Sequence, residues 1–75
     1  MSEEIINIRI SVPDAIQGDV LGMLNRLGGW ITGIEMEGVS RTGIRSTIPK
    51  KNIASFKTWL QTFSQGHGSF IEDDT

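Results

Sequence analysis

Cysteine is absent from the chain, which excludes a disulfide framework and a thiolate zinc site. Long apolar runs are absent too; none approaches the ~18 residues of a membrane span. Positive charge is scarce. Seven Lys and Arg stand against nine Asp and Glu, a net charge of -2. A general nucleic-acid binder needs clustered positive charge to neutralise phosphates, so that class is disfavoured while a local patch remains open. Histidine occurs once, as His67, and prolines number two. There is no linker, internal repeat or low-complexity segment. The start, Met1-Ser2-Glu3-Glu4, carries acids where a secretory signal carries bases, and a cytoplasmic location is expected. What remains is ordinary: 75 residues, 37% hydrophobic, mean hydropathy -0.12. That is one small domain over 1–75, with a core from about residue 5 to 71, and modest stability.

Ile6, Ile8, Ile10 and Val12 alternate with Asn7, Arg9 and Ser11, which predicts a half-buried first strand over Ile5–Val12. Pro13-Asp14 ends it and opens a helix over Asp14–Leu27. Ile16, Val20, Leu24 and Leu27 form its apolar stripe, and Gly28-Gly29 closes it. Trp30–Met36 reads as a second strand. Ile31 and Ile34 break its alternation, so a bulge or sharp twist is expected at Gly33. Glu37-Gly38-Val39-Ser40 reads as a hairpin connection. Arg41–Ile48 follows as a strand, with Ile44, Ser46 and Ile48 on one face and Gly43, Arg45 and Thr47 on the other. Pro49 stops it. Ile53, Phe56, Leu60 and Phe63 predict a second helix over Asn52–Ser64, capped by Gln65-Gly66. A short strand over His67–Ile71 and a frayed acidic tail, Glu72-Asp73-Asp74-Thr75, complete the chain. The order is βαββαβ. It defines an α+β, ferredoxin-like split-βαβ fold, a four-stranded antiparallel sheet with two helices on one face.

The first helix holds a puzzle. Gly18 and Gly22 lie inside it, and an internal glycine costs roughly 1 kcal/mol relative to alanine. Four residues apart, they share one helix face. That face permits either close packing on the molecule's own sheet or second helix, or the close approach of a partner.

The same run, Gly18-Asp19-Val20-Leu21-Gly22-Met23-Leu24-Asn25-Arg26, resembles the first helix of the C-terminal domain of elongation factor G, the ribosomal translocase. Gly29, Ile31 and Gly33 follow at suitable spacing. Ile44-Arg45, Pro49 and Phe63-Ser64-Gln65-Gly66 extend the resemblance over roughly Ile6 to Ser69. The chain differs in having His67 where that family usually has arginine, Leu27-Gly28 where it has further bases, and Glu72-Asp73-Asp74 at its end. No Walker-type phosphate loop occurs. The resemblance implies a ferredoxin-like, non-enzymatic docking module in translation. Its partners would be the large ribosomal subunit, with its rRNA and nearby ribosomal proteins, or other domains of a translation factor. The docking residues it brings forward are Gly18, Asp19, Gly22, Asn25 and Arg26, with Arg45 and His67 behind them. The Met1-Ser2-Glu3-Glu4 start favours a free-standing relative over a domain of a longer factor. The alternative is a free-standing regulatory or dimerisation module that binds a small ligand, a protein or a second copy through the sheet face of Arg9 and Arg45.

Other candidates carry bland readings. His67 lies between Gly66 and Gly68, as an exposed turn residue would, with no thiol or second histidine to form a catalytic pair. Asp14 and Asp19 suit a helix N-terminus, and Glu35 and Glu37 suit a surface. No residues have metal-ligand spacing, and no cofactor is expected. Trp30, Phe56, Trp59, Phe63 and Phe70 are expected in the core or at its edge. Arg41, Arg45, Lys50 and Lys51 form either a solvated face or a phosphate-contacting patch. An RNA-recognition motif would need aromatics on the exposed central strands; Asn7, Arg9, Gly43, Arg45 and Thr47 offer none.

Overall fold

The computed structural model describes residues 4–73. Within them the order is β1 (Ile5–Pro13), a 3₁₀ turn (Asp14–Ile16), α1 (Gln17–Arg26), β2 (Trp30–Met36), β3 (Arg41–Pro49), a 3₁₀ turn (Lys50–Asn52), α2 (Ile53–Phe63) and β4 (Ser69–Asp73). The strands form one antiparallel sheet in the order β2-β3-β1-β4. The fold is α+β and ferredoxin-like, as the element order predicts.

Alternation along β1 sends Ile8, Ile10 and Val12 to one face, where Ile44 and Ile48 of β3 join them. Val20 and Leu24 of α1 and Phe56 and Leu60 of α2 close over this face, and all nine side chains are buried. Each such side chain contributes about 1.5–3 kcal/mol of transfer free energy. Among the described residues, no buried side-chain nitrogen or oxygen lacks a hydrogen-bond partner.

Several boundaries differ from the sequence reading. The first helix starts at Gln17, because Pro13 is extended and Asp14–Ile16 form a 3₁₀ turn tied to the chain around Ser40 and Thr42. The Asp14 amide donates to the Ser40 carbonyl at 2.9 Å, and its carboxylate accepts the Thr42 hydroxyl. The second helix likewise begins at Ile53, after the 3₁₀ turn. The last strand is shifted by two residues. His67 and Gly68 stay in the turn, where the Gly68 amide donates to Ser64 Oγ at 3.1 Å and the His67 amide donates to the Ser64 carbonyl at 3.0 Å. Glu72 and Asp73, expected in a frayed tail, pair with Ile8 and Asn7 instead. Asp74 and Thr75, like the Met1–Glu3 start, lie outside the described residues. The irregularity expected at Gly33 is present as a register shift between Ile31 and Gly33. Gly28, at φ +78°, caps α1 in the left-handed conformation that glycine adopts without strain.

Candidate functional site

The two helices do not meet along their full length. Between them runs a half-open groove of about 300 Å³, lined by Gly18, Asp19, Gly22, Met23, Arg26, Trp59 and Phe63. Helical spacing builds it. Positions 18, 22 and 26 follow at intervals of four and share one face of α1. Trp59 and Phe63, also four apart, project from α2. Their rings stack at 4.8 Å between centroids with 12° between planes. Trp59 leans inward on the buried ring of Phe56 at 5.9 Å, while Phe63 is 42% exposed. An aromatic wall therefore faces a helix that carries no side chain at two of its lining positions, 18 and 22.

The glycines do not serve close packing. A Cβ on Gly18 or Gly22 would meet no atom of the neighbouring structure within 4 Å. The contrast is Gly29, where a Cβ would fall 2.9 Å from the Thr47 carbonyl oxygen and 3.0 Å from that of Leu24. Gly29 is required by the fold; Gly18 and Gly22 leave open space. At the two ends of the groove, Asp19 stands in the first turn of α1 and Arg26 in the last, each favourable toward the helix dipole. Asn25 is exposed but does not line the groove, and its backbone carbonyl accepts the Gly28 amide at 3.2 Å.

The structure brings Gly18, Asp19, Gly22 and Arg26 together and leaves Arg45 and His67 apart from them. Arg45 lies on the opposite, helix-free face of the sheet. It is directly across from Arg9 and ion-paired with Glu35 at 3.1 Å. His67 is an exposed turn residue whose backbone carbonyl accepts Arg41 Nη2 at 3.0 Å. Arg41 also donates to the Ser11 carbonyl and hydroxyl at 3.1 Å, so its guanidinium fastens β3 to β1 and to the α2–β4 turn. Lys50 pairs with Glu4 at 3.5 Å. Gly43, read from the sequence as exposed, is buried beneath the Glu37 carboxylate, whose Oε2 would lie 2.6 Å from a Cβ there.

Two aromatic assignments are corrected. Trp30 is 74% exposed, because its cross-strand partner Thr47 belongs to the sheet face that the helices do not cover. Phe63 lies half in solvent because α1 opposes it with glycine. Neither is a core residue. The sequence signal for the groove was the coincidence of an i, i+4 glycine pair with an i, i+4 aromatic pair on the other helix. Which faces look at one another is a tertiary fact that spacing alone does not contain.

Among the described residues no group of three or more His, Cys, Asp or Glu could hold a metal ion, and no helix is long and apolar enough to cross a membrane. The fold defines a ferredoxin-like α+β module with a groove between its two helices. The comparisons place that module more narrowly. The sequence profile of the elongation factor G C-terminus matches residues 1–73, and the chain belongs to that family. It is 33% identical over 69 residues to elongation factor G of Aquifex pyrophilus, covering 92% of this chain and 10% of that protein. A crystal structure of a Thermus thermophilus protein superposes with a TM-score of 0.84 at 25% identity, over 97% of this chain and 11% of that one. The chain thus spans about a tenth of the length of these relatives.

Proposed function

We propose that the chain is a non-enzymatic docking module of the translation machinery, binding through the α1/α2 groove to the large ribosomal subunit or to another domain of a translation factor. Gly18 and Gly22 let a partner backbone come against α1. Trp59 and Phe63 supply apolar contact, and Asp19 and Arg26 set polarity along the groove. Asn25 sits at its border. The mechanism is binding and positioning; any GTP hydrolysis belongs to another domain or protein. The single observation that carries this reading is the open space in front of both helix glycines. Their helix-breaking cost brings no internal packing in return, which is what a surface kept clear for a partner requires.

Co-sedimentation of the chain with large ribosomal subunits across a salt series is the direct test. Pelleting at low salt, weakened by raised salt and by Arg26→Ala, is the expected result. Absence of pelleting at low salt rules out autonomous ribosome docking. It would then remain to test the same groove against the other domains of an elongation factor G.

A further inference from the structure

The outer edge of the sheet is a second surface, on residues the groove does not use. Among the described residues β2 pairs with β3 alone and so leaves one side of its backbone free. Its sequence, WITGIEM, has none of the lysines or prolines that blunt an exposed edge. The bulge between Ile31 and Gly33 leaves residues 33–36 as its regular part. The Glu37 amide donates to the Arg41 carbonyl at 3.1 Å. By antiparallel alternation the amides of Glu35 and Gly33 also face β3, and those of Ile34 and Met36 point outward. Both of these side chains are exposed, Ile34 by 48% and Met36 by 82%. No contact inside the chain requires glycine at 33. A Cβ there would meet no atom within 4 Å, and its φ is not positive. A glycine within a strand marks a place where another chain comes close. Beside it lies a recess of about 140 Å³, lined by Gly33, Ile34, Glu35 and Arg45.

We infer that β2 pairs antiparallel with β2 of a second copy of this chain, about a two-fold axis at Ile34, joining two four-stranded sheets into one. Charge fixes the register. An axis at Glu35 would set two carboxylates directly opposite each other, and an axis at Gly33 would run the pairing into the bulge. An axis at Ile34 sets each Glu35 against the other copy's Gly33, on the open face, with that copy's Arg45 next in the row. The carboxylate enters the recess. Arg45 has five N–H donors; it holds its own Glu35 through Nη2 at 3.1 Å and has donors left for a second carboxylate. The two Ile34 residues exchange backbone hydrogen bonds and meet on the other face, where Met36 lies opposite the other copy's Thr32. An unrelated strand would have no reason to carry an acid at the place Gly33 leaves clear. This chain carries one two residues along, which makes the edge complementary to itself. The paired stretch is short, so the dimer is weak and reversible.

The test is sedimentation equilibrium of the full chain at concentrations up to ~1 mM, the weak end of the affinity scale. The average mass is expected to rise reversibly from 8.3 kDa toward twice that value. Glu35→Arg and Arg45→Glu should each weaken self-association roughly ten-fold, because like charges then face each other across the interface. An equimolar mixture of the two variants should associate again, since each then meets the opposite charge. Both side chains are more than half exposed, so far-UV circular dichroism of the variants should be unchanged. In the unaltered chain, the Ile34 and Met36 amides should exchange more slowly at associating concentrations than in dilute solution. The inference is overturned by a constant monomer mass or by association that both charge reversals leave unaltered. It is equally overturned if the mixed variants stay monomeric, or if those two amides exchange as fast in the dimer as in dilute chain. None of these results bears on groove docking, whose residues lie on α1 and α2.

Discussion

Gly22 and Gly29 are chemically identical and have opposite consequences. Gly22→Ala adds a methyl group to open space and removes an internal helix glycine, so the folded chain should gain up to about 1 kcal/mol. For a domain of this size that raises Tm by roughly 4–8 °C, readable in a thermal melt. The same substitution should reduce groove docking, so stability and binding move in opposite directions. A glycine needed for packing would lower both. Gly29→Ala is that case. Its Cβ would press on two backbone carbonyls, and a loss of about 1–3 kcal/mol is expected in denaturant unfolding. Nothing in the sequence separates these residues, since both read as helix or helix-end glycines. What distinguishes them is whether another element lies opposite, and only the assembled fold determines that.

At the scale of elements, the strong periodicities were legible. β1, β3 and both helices follow from alternation or from i, i+4 spacing, and so does the sheet-face pairing of Arg9 with Arg45. The ends were less so, because side chains from elsewhere in the chain decide them. Thr42 and Ser40 draw Asp14 out of α1, and Ser64 holds the chain back from β4. The Ser64 hydroxyl donates to the Leu60 carbonyl at 2.6 Å and accepts from the Gly68 amide at 3.1 Å. Removing it in Ser64→Ala leaves that amide without its partner, at a cost of about 1–3 kcal/mol. Hydrogen exchange should then report faster opening of β4 than of β1 or β3. Asn52 ties the start of α2 to the end of α1 through its side-chain amide, which donates to the Leu27 carbonyl at 2.7 Å. It thereby tethers one end of the helix pair that frames the groove. Asn52→Ala is expected to weaken docking more than it lowers Tm.

The molecule as a whole rests, among the described residues, on nine buried apolar side chains of which Phe56 is the largest. Its ring touches both Trp59 and Phe70, at centroid distances of 5.9 and 6.0 Å. Phe56→Ala should cost about 3–5 kcal/mol, a large part of what a domain this small has. Circular dichroism at 25 °C should show a substantial unfolded population. The family resemblance, fold and helix-face grouping were readable from residues at fixed spacing. The exposed Trp30 was not, because the bulge at Ile31/Gly33 decides which face its ring occupies. One feature of the topology bears on how the molecule comes into being. β1 is made first, yet it sits between β3 and β4, and its pairing with β4 puts Asn7 opposite Asp73 at the far end of the described chain. Until that partner is synthesised, one edge of an isoleucine-rich strand has no neighbour, a template for pairing with other chains. Such long-range closure also slows folding. Chains cut after Gly66 should therefore aggregate where the full chain stays dispersed, because β4 is what covers that edge of the first strand.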